Sequence, residues 1–114
     1  MDLDLSEEQQ GEVYVVRLKG RLDAVSSPLL ERRMVTLLDG GKRRLLLNFG
    51  AVDYLSSAGM RLLLSVTKKL SVDKGKLVVC ALNDEVMEVI RMAGFNTILN
   101  IQPNEQAALS VFAA

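Results

Sequence analysis

Two adjacent serines, Ser56 and Ser57, head the stretch Ser-Ser-Ala-Gly-Met-Arg-Leu-Leu-Leu, where a strand-and-loop region gives way to an amphipathic helix. A hydroxyl placed there has two chemistries open to it. It can accept a hydrogen bond from a free amide of the first helical turn and so cap the helix. It can also carry a phosphate, which those amides and the positive end of the helix dipole would favour. Serine caps are common, so spacing alone leaves both readings open.

A helical wheel separates the two hydroxyls. With Ser57 at zero and about 100° per residue, Lys68 falls near 20°, Arg61 near 40° and Ser65 near 80°. Ser56 falls near 260°, toward the side that carries Met60, Leu63, Val66, Thr67 and Leu70. Ser57 therefore shares a solvent stripe with two cations while the opposite face packs on a sheet. Leu64 lies beside the Ser57 stripe, where an apolar residue would be exposed and suit a partner.

The rest of the chain offers little reactive chemistry. It contains no histidine, which removes Ser-His and Cys-His nucleophiles and imidazole metal ligands together. Cys80, the only cysteine, sits in the apolar run Leu77–Leu82 and reads as a buried, inert thiol. Gly40-Gly41-Lys42 lacks the spacing and the following Ser or Thr of a phosphate-binding loop. Asp23, Asp39, Asp53 and Asp73 fall at turns without forming a metal-ligand pattern. Asp2, Asp4, Glu7, Glu8 and Glu12 read as a solvated acidic arm. No catalytic residue, cofactor site or metal site emerges.

The elements that must position the serines alternate. Residues 3–9 read as an edge strand and Val13–Leu18 as a stronger one, running into a turn over residues 19–23. Ser26 and Ser27 before Pro28 look like an N-cap followed by proline at the first helical position, with Gly40-Gly41 as the stop. Arg43–Phe49 contains Leu45-Leu46-Leu47 without alternation, the mark of a strand covered on both faces. The helix after the serines runs to about Val72, and Lys76–Leu82 is a second continuous apolar strand. Asn83 can cap a short helix with Val86, Met87, Ile90 and Ala93 inward, closed by Gly94. Ile98–Ile101 is a brief strand, and Pro103 opens a last helix. The pattern predicts an α/β fold.

At 114 residues the chain is expected to form one domain, residues 1–114, long enough to bury about two-thirds of its unfolded surface. Aromatic residues make up only 4% of it, so the core must be aliphatic. Fourteen basic and fourteen acidic residues cancel, which argues against nucleic acid as a partner. No apolar run approaches the roughly 20 residues needed to span a bilayer, and Met-Asp-Leu-Asp is unlike a signal peptide. A cytoplasmic protein without membrane insertion is the expectation.

Several separated motifs now fall into one order: Gly20-Arg21-Leu22-Asp23, Leu45-Leu46-Leu47-Asn48-Phe49, Asp53-Tyr54-Leu55-Ser56-Ser57-Ala58-Gly59-Met60, Gly75-Lys76-Leu77 and Met92-Ala93-Gly94-Phe95. In this the chain resembles, over nearly its full length, the STAS family, and within it the bacterial anti-sigma factor antagonists. The resemblance implies a single STAS-type domain with a mostly parallel four- to five-stranded sheet flanked by about four helices. It implies a binding module, a monomer or weak dimer, rather than an enzyme. Its partners would be an anti-sigma factor with a serine protein kinase fold and a phosphoserine phosphatase. The unphosphorylated form would capture the anti-sigma factor and release a sigma factor. The family's phosphorylated serine maps onto Ser57, with Ser56 as the other candidate. Ser56 stands where many members have Asp, and Ala58 where many have a second Ser. A partner surface of Asp23, Ser26, Ser56, Ala58, Gly59, Met60, Arg61 and Leu64 is expected around it, the two turns lying side by side at the strand ends. A STAS domain that serves only as a scaffold subunit of a larger sensory or transport complex is the alternative.

Overall fold

The computed structural model describes residues 3–113. Five strands and four helices follow one another as β1 (Leu3–Gln10), β2 (Val13–Leu22), α1 (Ser27–Asp39), β3 (Arg44–Leu55), α2 (Ser57–Val72), β4 (Lys76–Cys80), α3 (Asp84–Met92), β5 (Asn100–Gln102) and α4 (Glu105–Ala113). The strands lie in sequence order in one sheet. β1 is the antiparallel edge and every other pairing is parallel. This is the expected α/β architecture, with the sheet at the upper end of the expected strand count.

Parallel neighbours in sequence order, each joined by a right-handed crossover, put all the crossover helices on one face. The core divides accordingly. Val16, Leu18, Leu45, Leu47, Leu77 and Val79 pack with Leu30, Met34, Leu63, Val66 and Ile90 of α1, α2 and α3. Val13, Val15, Leu46, Val78 and Cys80 turn the other way and meet Ala108 and Phe112 of α4. Both faces of the central strands are covered, which is why Leu45-Leu46-Leu47 shows no alternation.

β4 ends at Cys80 instead of Leu82, and β5 lies at Asn100–Gln102 instead of Ile98–Ile101; two further boundary differences matter to the serines. β2 continues through Lys19-Gly20-Arg21 to Leu22, and β3 runs through Gly50 to Leu55 instead of ending at Phe49. The two extensions pair with each other, Lys19 with Ala51 and Leu22 with Leu55, across register shifts after Arg17 and Gly20. Gly20, at φ +118°, supplies a backbone conformation that a side chain would resist. β4 stops pairing at Cys80 opposite Asn48, so the β2–β3 ribbon projects beyond the sheet and carries both turns. Asp53 is thus a strand residue and not part of a turn. Ser26 supplies no side-chain cap to α1, contrary to expectation. Asn83 caps α3 as expected, its Oδ1 accepting from the Val86 amide at 2.8 Å, while Ala93 is exposed rather than inward.

The acidic arm is also more structured than a solvated edge. Glu7 accepts from Arg33 of α1 and from the Tyr14 hydroxyl, and Glu8 pairs with Arg17 at 2.8 Å. Asp2 lies outside the described residues. On the α4 face the same Arg17 also donates to Glu105 at 2.7 Å, and Asn48 donates to Glu105 at 2.6 Å, tying α4 to β2 and β3.

Candidate functional site

The serine turn is built by the ribbon. Leu55 is buried and ends β3; the chain then enters α2 through Ser56, which holds an extended backbone at ψ 172°. Ser56 Oγ accepts from the Gly59 amide at 3.2 Å, and its carbonyl accepts from the Met60 amide at 3.0 Å. Its own amide donates to the Leu22 carbonyl at 2.9 Å. The hydroxyl oxygen and carbonyl of Ser56 thus start the helix, while its amide is tied to β2.

Ser57 is the first residue of α2 and is exposed, and its hydroxyl makes no side-chain hydrogen bond among the described residues. The first turn of this sixteen-residue helix contains no acidic side chain. The partial positive charge of its free amides is therefore uncompensated from within the helix. Arg61, one turn further, is exposed on the same side. An anion on Ser57 would be stabilised by both.

The turn between β2 and α1 is wound around Asp23. Its Oδ1 accepts from the Ser26 amide at 2.9 Å and from the Val25 amide at 3.0 Å. These donors from Ser26 and Val25, with the Arg21 guanidinium nearby, hold the Asp23 carboxyl below the usual carboxylate range. Ser26 Oγ donates to the Arg21 carbonyl at 2.6 Å and accepts from the Asp23 amide at 3.0 Å. Ser27 Oγ donates to the Asp23 carbonyl at 2.6 Å. So wound, the turn pushes Val25 outward, 83% exposed.

The Leu22–Ser56 bond sets the two turns side by side. Close approach is possible because residue 59 is glycine. A Cβ there would lie 2.9 Å from the Leu22 carbonyl oxygen and 2.8 Å from Leu55 Cδ1. Between α1 and α2, below the turns, runs a groove of about 330 Å³ lined by Ala24, Pro28 and Glu31 on one side and Ala58, Arg61 and Ser65 on the other.

Of the expected surface residues, Ser57 and Arg61 are exposed, and Ser56, Ala58 and Asp23 are partly so. Four others need correction. Ser26 is only 2% exposed, its hydroxyl consumed by the turn, so it shapes the surface from below. Gly59 and Met60 are buried against the ribbon and the core. Leu64 is half-buried and packs on the core rather than standing free beside the serines. Sequence reasoning passed over Val25, Ala24, Pro28 and Glu31. An apolar valine between Asp23 and Ser26, in a turn otherwise made of polar and small residues, was the available signal.

Cys80 is fully buried, and burial pushes its thiol up to about 11. No helix among the described residues is long and apolar enough to cross a membrane.

A sequence model of the STAS domain matches residues 4–108. A Bordetella bronchiseptica protein named as a candidate anti-sigma factor antagonist, BtrV, is 35% identical over 100 residues, which cover 88% of this chain and 86% of the relative. An anti-sigma factor antagonist from Mycobacterium paratuberculosis superimposes with a TM-score of 0.90 at 23% identity, over 98% of this chain and 95% of that one. SpoIIAA, solved both unphosphorylated and phosphorylated, superimposes with TM-scores of 0.75 and 0.72 at 19% and 21% identity. Those two alignments cover 97% and 95% of this chain, and 99% of SpoIIAA in each case.

Proposed function

Since the chain belongs to the STAS domain family, we propose that it acts as an anti-sigma factor antagonist, a binding module switched by phosphate on Ser57. In the unphosphorylated state its two-turn surface captures an anti-sigma factor, and the sigma factor held by that protein is released. The observation that carries this reading is the division of labour between the two serines. Ser56 does the capping, so the Ser57 hydroxyl is free to be modified without undoing the helix start.

The anti-sigma factor would itself be the serine kinase. Ser57 Oγ attacks the γ-phosphorus of ATP, the bond to the β,γ-bridging oxygen breaks, ADP leaves, and the hydroxyl proton passes to a base of the kinase. A phosphoserine phosphatase restores the hydroxyl with water. The modification adds about −1.5 to −2 charge and three acceptor oxygens. Within the domain this is favourable by about 0.3–1 kcal/mol at a helix N-terminus, so the fold survives. At the interface a dianion must be desolvated or repelled. A loss of about 3 kcal/mol there lowers affinity by roughly two decades, enough to switch partners.

The supporting names come from relatives: BtrV is named as a candidate anti-sigma factor antagonist, the mycobacterial protein is called an anti-sigma factor antagonist, and SpoIIAA exists in a phosphorylated form. The test is mass spectrometry of the protein from its own cells, with and without phosphatase treatment, beside Ser57→Ala. Phosphate on Ser57 that disappears in the variant is the expected result. Label on Ser56, or unchanged label in Ser57→Ala, overturns the assignment. A chain never labelled, binding its partners regardless, would be the scaffold subunit instead.

A further inference from the structure

We infer that the molecule has a second docking groove, remote in chemistry from the serine turn, that takes a basic, apolar segment of a partner protein. The groove lies between the projecting end of β3 and helix α3 and has a volume of about 550 Å³. Its apolar lining is Tyr54, Val89 and Met92, with Leu55 and Val86 at the base. Met92 is 80% exposed and Tyr54 42%. Its charged lining is all of one sign: Asp53 from the strand and Asp84, Glu85 and Glu88 from the helix.

Helix electrostatics account for two of these carboxylates. Asp84 and Glu85 sit in the first turn of α3, where acidic residues offset the dipole. Asp53, on a strand, and Glu88, past the first turn, have no such reason. Glu88 is bonded to Arg91, but Asp53, Asp84 and Glu85 make no ion pair among the described residues. In a chain whose formal net charge is zero, three carboxylates without an ion-pair partner, Asp53, Asp84 and Glu85, outweigh Arg21 over Tyr54 and give the apolar trough a local negative field, Glu88 being offset by Arg91.

The trough is preformed. Beyond Asn48, the last residue of β3 paired with β4, that strand edge carries no partner strand among the described residues. The Asn83 side chain closes the gap, donating from Nδ2 to the Val52 carbonyl at 3.2 Å while its Oδ1 caps α3. The Arg21 guanidinium lies 4.2 Å from the Tyr54 ring centroid and holds the aromatic wall upright. Charge complementarity selects the occupant. An anionic membrane or a nucleic acid is repelled by the rim, whereas lysines and arginines flanking a short apolar face are attracted. At about 1.5 Å per residue α3 spans about 12 Å, the length of roughly two turns of a partner helix.

The probe is a synthetic amphipathic peptide with a leucine face bordered by lysines, titrated into the isotopically labelled full chain and followed by NMR. Its control is the same peptide with glutamate for lysine. The lysine peptide should shift the amides of Tyr54, Val89 and Met92, and binding should weaken as salt rises from about 50 to about 300 mM. Met92→Ser, and separately the double variant Asp53→Asn with Glu85→Gln, should each weaken it at least about tenfold with the melting temperature kept as a folding check. Equal response to the glutamate peptide, shifts centred elsewhere, or unchanged binding by folded Met92→Ser overturns the proposal. So do concentration-dependent shifts at the same amides in the chain alone, which would give the groove to a second copy. No anti-sigma factor enters the experiment, so its result is independent of the Ser57 switch.

Discussion

The amide of Ser56 donates to the carbonyl of Leu22 across 2.9 Å, joining the last residue of β2 to the residue that caps α2. One backbone bond therefore fixes the Asp23 turn against the serine turn. The two are not loops that happen to be neighbours. They are the paired ends of a two-stranded ribbon, and any partner that reads one must meet the other.

Gly59→Ala should loosen that joint. The new Cβ would meet a backbone carbonyl, Leu22 O at 2.9 Å, as well as Leu55 Cδ1, and a carbonyl cannot rotate away as a side-chain tip can. Overpacking of this kind costs about 1–3 kcal/mol. Thermal unfolding should show a drop of several degrees, and hydrogen exchange should quicken at the Ser56 amide first.

The two serines should answer differently to alanine. Ser56→Ala removes the acceptor for the Gly59 amide and should cost about 1 kcal/mol, the usual worth of a serine cap. Ser57→Ala removes an exposed hydroxyl with no side-chain bond and should stay within about 0.5 kcal/mol. Chemical denaturation of the pair decides it; equal losses would mean that the cap is shared.

The central architecture was legible because its signals are local. Leu45-Leu46-Leu47 announced a strand covered on both faces, and Asn83 and Gly94 bracketed α3 through a side-chain cap and a φ of +80°. The ribbon was not legible. Gly20, between Lys19 and Arg21, and Gly50, directly after Phe49, stand where a strand would end, and only mutual pairing makes strands of residues 19–22 and 50–55. Ser26 was misplaced for a related reason. A serine that caps a helix and a serine that ties a turn are the same residue before the same proline, and what distinguishes them is the Arg21 carbonyl 2.6 Å away.

Acid should weaken the fold through the carboxylates that anchor its layers. The Arg33 guanidinium holds Glu7 below the usual carboxylate range, and Arg17 does the same for Glu105. With folded values below the unfolded one near 4.3, both contribute stability above about pH 4.3 and lose it as pH falls through the folded values. Glu105→Gln should be less stable than wild type by about 1 kcal/mol at neutral pH, since Arg17 keeps Glu8 and is partly solvated. The gap between the two should narrow below about pH 4. Denaturation midpoints across pH 3–7, about the range in which carboxylates titrate, provide the check; a gap that widens in acid would contradict the assignment.

The partner surface should be tested where the structure makes it stand out. Val25 is lifted into solvent by amide bonds to Asp23, at an entropic cost already met by the turn, so it can serve as a rigid apolar anchor beside Ser57. Val25→Asp and Arg61→Glu should each lower affinity for the anti-sigma factor at least about tenfold, with melting temperatures within a few degrees of wild type. Ser57→Asp should do the same through repulsion at the interface while its carboxylate suits the helix start. Ser26→Ala should behave in the opposite way, losing stability first, because its hydroxyl bonds inside the turn and faces no partner. Binding measured by calorimetry alongside thermal unfolding separates the two classes. If Val25→Asp and Arg61→Glu both bind like wild type, the anti-sigma factor docks elsewhere on the domain, and the two-turn surface is structural.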